Sequence, residues 1–157
     1  MRRVWWVMLL VVGIAALMWW GFIHQILLGQ PWGNKPAPDW MMWLFWLFFG
    51  IGFPLFFVSL KLVVTVQAEG IQIRYFPITS TLILYDNIEQ VTAREYKPIR
   101  EFGGWGVRGI PGKTRKIAYN ISGKEGVEIT LKDQRLVMIG SQKAQQLALA
   151  IETQRNL

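Results

Sequence analysis

The sequence predicts an α+β protein: a two-helix transmembrane hairpin, then a seven-stranded antiparallel β-barrel or sandwich with a C-terminal α-helix. Three observations carry this. Eight of the nine Trp fall within the first 46 of the 157 residues, and no acidic residue precedes Asp39. Beyond Lys61, short β-branched runs replace the long apolar ones, and helical spacing takes over only near the C-terminus. The chain is 52% hydrophobic and 17% charged, where a soluble domain averages about 45–50% and about 25%. Its mean hydropathy is +0.27. So uneven a distribution excludes both a uniform soluble globule and a disordered chain. With no Cys, disulfides, thiolate metal sites and Cys nucleophiles are excluded.

The first helix covers residues 4–28, which carry no charge apart from His24. Such a helix is roughly 37 Å long, against a hydrocarbon core of about 30 Å. Arg2 and Arg3 precede it, as in a signal peptide, but a signal's apolar region is about 7–15 residues. No small-residue cleavage site follows, so a retained helix is expected. The second helix covers residues 40–60 without an ionisable group, and the apolar run resumes after Lys61 to about residue 63. Pro54, Gly50 and Gly52 lie inside it, tolerable in a membrane helix, with a kink expected near Pro54. The connector, residues 29–39, is rich in Pro and Gly and suits a tight hairpin.

Trp5, Trp6 and Trp40 stand at helix ends, where amphipathic rings settle at the interface. Small residues (Gly13, Ala15, Ala16 and Gly50, Gly52) invite close helix approach, first within the hairpin and then to another membrane protein or a second copy. The broad aromatic surface of the second helix, Trp43 and Trp46 included, is expected to face mostly lipid. Lys and Arg set the orientation. Arg2, Arg3, Lys61 and Arg74 flank the spans on one side, and Lys35 alone lies on the other. Both termini are thus expected in the cytoplasm, with residues 1–60 a hairpin in the cytoplasmic membrane and residues 61–157 a cytoplasmic domain.

Within that domain, strands are expected over residues 61–67, 71–76, 82–85, 90–97, 117–121, 127–131 and 135–139. Turns are expected at Glu69-Gly70 and Asp133-Gln134. Ser141 then suits an N-cap for a helix over residues 142–154, with Ala144, Leu147, Ala148 and Ile151 on one face.

Four segments add a resemblance. Phe102-Gly103-Gly104-Trp105-Gly106-Val107-Arg108 is followed by Ala118-Tyr119-Asn120-Ile121-Ser122-Gly123. Gly126-Val127-Glu128-Ile129 and then Ile139-Gly140-Ser141 lead into the last helix. Over about residues 60–155 the chain resembles bacterial membrane-anchored proteins with a pleckstrin-homology-like (PH-like) domain, many of them uncharacterised. The resemblance implies a fold and a membrane location, and no particular ligand.

Chemical motifs are weak. Gly104, Gly106 and Gly109 match G-x-G-x-x-G, but a dinucleotide site needs a helix to follow, and Ile110-Pro111-Gly112 follows here. Gly112-Lys113-Thr114 resembles the end of a P-loop, yet Val107 occupies the position of its first Gly. The segment reads better as a bent connection between strands. His24, the only His, lies near the end of its helix, within reach of head groups. The carboxylates are scattered, so no acid–base pair stands out. Asn120-Ile121-Ser122 matches a glycosylation sequon, but a cytoplasmic strand never meets that machinery. No cofactor, metal site or nucleic-acid partner is expected.

What remains is charge. Residues 61–157 carry 14 Lys and Arg against nine Asp and Glu. Arg94, Lys97, Arg100, Arg108, Lys113, Arg115 and Lys116, opposed only by Glu95 and Glu101, account for that whole excess. The expectation is a non-enzymatic binding or scaffolding module. Arg100, Trp105, Arg108, Lys113, Arg115 and Lys116 would contact anionic lipid head groups or a protein partner. A structural subunit of a larger membrane complex or homo-oligomer, and an unrecognised enzyme, are the alternatives.

Overall fold

A computed structural model describes residues 5–109 and 114–156 of the chain. The chain divides into two compact units between Leu60 and Lys61, taken here in turn.

The first unit is two apolar helices. Helix α1, Trp5–Phe22, continues as a π-helical turn over Ile23–Leu27. The second is α2 (Asp39–Phe45), a π-helical segment (Trp46–Gly52) and α3 (Phe53–Ser59) without a break. Stretches of 22 and 21 residues, Trp6–Leu27 and Asp39–Ser59, are long and apolar enough to cross a membrane. Only 17% and 11% of their most apolar windows are buried, where the core helix of a soluble protein hides most of its surface.

Aromatic rings hold the two helices together. Phe22 stacks on Trp46 at 4.4 Å and meets Trp43 edge-on at 4.7 Å, and Trp19 meets Trp46 edge-on at 5.1 Å. Trp43 and Trp46 thus turn toward α1, while Phe48 and Leu55 stay exposed. Pro54 has no N–H to offer the Gly50 carbonyl four residues back, and that carbonyl accepts from the Trp19 indole at 3.3 Å. Gly50 is buried there, whereas Gly13 has no atom near the place a Cβ would occupy. Gly50 therefore serves the hairpin, and Gly13 and the exposed Gly52 do not. At the connector, the Gln25 amide donates to the Ala37 carbonyl at 2.6 Å and to Asp39 Oδ1 at 2.9 Å.

Among its described residues the second unit holds eight strands, not seven. They are β1 (Lys61–Val66), β2 (Gly70–Phe76), β3 (Thr79–Leu84), β4 (Ile88–Glu95), β5 (Gly106–Arg108), β6 (Lys116–Asn120), β7 (Glu125–Leu131) and β8 (Leu136–Gly140). They form a three-stranded sheet, β1-β2-β3, and a five-stranded sheet, β4-β7-β8-β6-β5, with no closed barrel. Nor is the pairing all antiparallel, because β6 lies parallel to β8. The tight β7–β8 hairpin, with Gln134 at φ 63°, pairs β7 with β8 on one side and with β4 on the other, which leaves β8's second edge to β6.

Alternation sorts the faces. Ile71, Ile73 and Tyr75 of β2 are buried, as are Ile117 and Tyr119 of β6, Val127 and Ile129 of β7, and Val137 and Ile139 of β8. The Tyr119 and Thr81 hydroxyls, one from each sheet, lie 3.1 Å apart. The terminal helix α5 (Ala144–Arg155) adds Ala144, Ala148 and Ile151 to this core. It starts later than expected, and Ser141 does not cap it. The Ser141 hydroxyl instead accepts from the Lys143 N–H at 3.1 Å, ahead of the first turn.

Candidate functional site

The basic stretch is built around an unexpected short helix, α4 (Pro98–Phe102). Pro98 suits a helix's first turn, where its missing N–H is not needed. Gly103 closes the helix in the left-handed region at φ 75°, and the Gly104 N–H reaches back to the Pro98 carbonyl at 2.9 Å. Phe102 packs edge-on against the Tyr96 ring at 5.9 Å, over the buried Ala118 and Met138. Helix α4 thus covers part of the face of the five-stranded sheet that lies opposite the main core.

Ion pairs tie α4 to that face. Arg94 of β4 donates to Glu101 at 2.8 Å and also bonds Glu128 of β7. The Glu101 carboxylate accepts from the Lys97 N–H at 2.7 Å. The Arg94 hydrogen bond, followed by that backbone bond, holds the Glu101 carboxyl below its ordinary range, and Lys116 adds to the effect. Arg94, counted among the seven basic residues of the stretch, is therefore matched by two carboxylates.

A second set of bonds fixes the Gly-rich segment. The Gly106 N–H donates to Asn120 Oδ1 at 2.8 Å, and the Asn120 amide donates to the Tyr96 hydroxyl at 2.9 Å. Asn120 is fully buried, so its side chain is closed to modification and the sequon there is structural. Burial pushes the Tyr96 phenol above its ordinary pKa. Trp105 is half-buried, and its indole donates to the Gly123 carbonyl at 3.3 Å. Arg108 Nε donates to the Trp105 carbonyl at 3.1 Å, and its guanidinium lies where a Cβ on Gly104 would be, 2.8 Å away.

The expected residues are thus brought together in part. Arg108 of β5 pairs in register with Ala118 of β6, and Lys116 is two residues further along the same face. Both flank α4, which carries Arg100, and Arg100, Arg108 and Lys116 are exposed. Arg115 is exposed as well, but alternation assigns it to the opposite face. Trp105 belongs to the framework more than to a free surface. Lys113, Ile110-Pro111-Gly112 and the flank Arg2-Arg3 lie outside the described residues. Among the described residues, the element after Gly109 is strand β6, not the helix a dinucleotide site requires.

An open hollow of about 600 Å³ lies beyond Gly123, lined by Glu95, Glu125, Lys124 and Ser141. Glu95 and Glu125 face each other across the β4–β7 ladder, so this end of the sheet repels anions and the basic face is the one that attracts them. What sequence reading missed was Asn120, Tyr96 and the Arg94–Glu101–Glu128 cluster. The Pro98-to-Gly103 spacing, Pro just inside a helix and Gly just past it, is the one signal that marks α4.

A family model described as a family of unknown function, DUF6141, matches residues 4–153. No curated protein and no solved structure matches the chain.

Proposed function

The chain belongs to the DUF6141 family of unknown function, and from its own residues we propose that it is a non-enzymatic, membrane-anchored binding module. Its two apolar helices form a hairpin in the cytoplasmic membrane of a bacterium, and the Lys and Arg flanks put the domain of residues 61–157 on the cytoplasmic side. The domain is a PH-like relative. Two packed sheets and a C-terminal helix favour that reading, and the parallel β6–β8 pair and the open architecture are departures from it.

The binding surface is the basic face around α4, and its ligand is the anionic head group of a membrane lipid. One observation carries this. Arg94 is matched by Glu101 and Glu128, while Arg100, Arg108 and Lys116 stand exposed together on a hydrogen-bonded frame. The chain enters β1 through Leu60 alone after α3, which tethers the domain at the bilayer surface. Each basic residue close to an anionic leaflet contributes about 1 kcal/mol.

Native mass spectrometry of the detergent-solubilised full chain tests this reading, with phosphatidylglycerol and phosphatidylcholine added in competition. Wild type should retain phosphatidylglycerol preferentially, and the threefold Arg100→Glu, Arg108→Glu, Lys116→Glu variant should lose that preference. Equal retention of both lipids by wild type refutes the lipid reading. A stoichiometric protein that copurifies with wild type and is lost from the variant replaces it with a protein partner.

A further inference from the structure

The outer face of the three-stranded sheet ends in an apolar tip. Strands β2 and β3 are joined at Phe76-Pro77-Ile78, where the Ile78 N–H donates to the Tyr75 carbonyl at 2.8 Å. Phe76 is 60% exposed and Ile78 53%, and Val63 beside them is 50% exposed. Large side chains so exposed at a hairpin tip, with Pro77 lacking an N–H to hydrate, are costly in water and cheap at a lipid interface.

Strand register says where this tip is in the chain's path. Lys61, the first residue of β1, pairs with Phe76, and Leu62 pairs with Tyr75. Paired Cα atoms in an antiparallel ladder are about 5 Å apart. Lys61 is also the second residue after Ser59, the last residue of α3. The tip is therefore next to the point where the chain leaves its second apolar helix, whichever way the rest of the sheet points. The interfacial layer of a bilayer is several ångströms thick on each side, about the depth that two residues of chain and one aromatic side chain reach. Lys61 and Arg74 line an open hollow of about 550 Å³ together with Phe76, Pro77 and Ile78. Two cations beside an apolar wedge suit the phosphate level above the acyl chains.

We propose that Phe76-Pro77-Ile78 inserts into the interface of the bilayer that α2 and α3 cross, with Lys61 and Arg74 on the phosphates. This site is separate from the basic face around α4, and it rests on the reading of Asp39–Ser59 as a membrane span. The absence of Cys from the sequence makes it directly testable. Phe76→Cys and Ile78→Cys, each carrying an environment-sensitive fluorophore, are reconstituted as full chain in liposomes. Phe49→Cys reports the span and Glu69→Cys, in the turn at the other end of β2, reports water.

Nitroxides on shallow acyl-chain positions should quench the labels at 76 and 78 several-fold more than the label at 69. Nitroxides at the bilayer centre should quench the label at 49. Quenching at 49 with none at 76 or 78 overturns the insertion and leaves the span reading intact. No quenching at 49 overturns both. Labels at 76 and 78 that are shielded from aqueous quencher yet unreached by lipid nitroxides indicate a protein contact, and also overturn it.

Discussion

The side-chain amide of Asn120 donates to the hydroxyl of Tyr96 across 2.9 Å, with both residues buried beneath α4. On its other side Asn120 accepts from the Gly106 N–H at 2.8 Å. One buried polar side chain thus joins the residue that follows β4 to β5 and β6 and sets where the Gly-rich segment enters the sheet. Asn120→Ala strands the Gly106 N–H and the Tyr96 hydroxyl together, at about 1–3 kcal/mol for each group left unsatisfied. The expected result is a drop of roughly 10 °C in the melting of the β-sheet signal, followed by circular dichroism on the full chain in detergent. A melt within a degree or two of wild type would show that the bond has no structural weight.

Gly140 lets this network fit. A Cβ there would lie 2.7 Å from the Asn120 Cβ and 3.0 Å from the Tyr96 hydroxyl. Gly140→Ala therefore pushes apart the two groups that need each other, at a cost of about 1–3 kcal/mol for overpacking. A Gly103→Ala control separates this from backbone strain, because Gly103 has a positive φ with open space around it. Gly140→Ala should weaken the Tyr96–Asn120 pairing, seen as a changed Tyr environment in near-ultraviolet spectra, and Gly103→Ala should not.

Acid should loosen α4. The Glu101 carboxyl is held below its ordinary pKa by Arg94, with the Lys97 N–H adding to it. Its contribution is complete above the unfolded value of about 4.3 and is lost as pH falls through the lower folded value. The pair is partly exposed, so the contribution is under about 1 kcal/mol. Hydrogen exchange at the amides of α4 should quicken in wild type as pH falls below about 4, once the intrinsic pH dependence is removed. Glu101→Gln should exchange quickly at neutral pH and show little further change. If both proteins respond alike to acid, Glu101 is not the group responsible.

Much of the fold was legible because its signals are local. Two uninterrupted apolar stretches, a Pro- and Gly-rich connector and runs alternating every second residue mark both helices and seven of the strands within a few residues. Strand β5 escaped because three residues between glycines carry no alternation. Helix α4 escaped because its five residues are too few for helical spacing to show. The parallel β6–β8 pair is a long-range choice with no local trace, as is the π-helical segment that accommodates Pro54. At the candidate site, the excess of Lys and Arg could be counted in the sequence. Which cations are matched could not, since Glu128 lies 34 residues from Arg94. Asn120 read as a sequon because its partners, Tyr96 and Gly106, come together only when three strands assemble.

The hairpin makes its own prediction. The Trp19 indole supplies the Gly50 carbonyl with the donor that Pro54 lacks. Trp19→Phe keeps the ring contact with Trp46 and removes that donor, at about 0.6 kcal/mol for a hydrogen bond between membrane helices. Pro54→Ala restores a backbone donor, so the two changes together should cost less than Trp19→Phe alone. A double-mutant cycle on unfolding in mixed micelles measures this, and strictly additive costs would mean that the two residues act independently.

Labelling with a membrane-impermeant maleimide tests whether a membrane hairpin presents the basic domain to the cytoplasm, as proposed. The chain has no Cys of its own, so Asn34→Cys in the connector and Lys143→Cys ahead of α5 each report alone in intact bacterial cells. The expected result is labelling at position 34 in intact cells and at position 143 only after permeabilisation. Labelling at position 143 in intact cells, or release of the protein from membranes by alkaline carbonate, would overturn the cytoplasmic domain or the membrane hairpin, respectively.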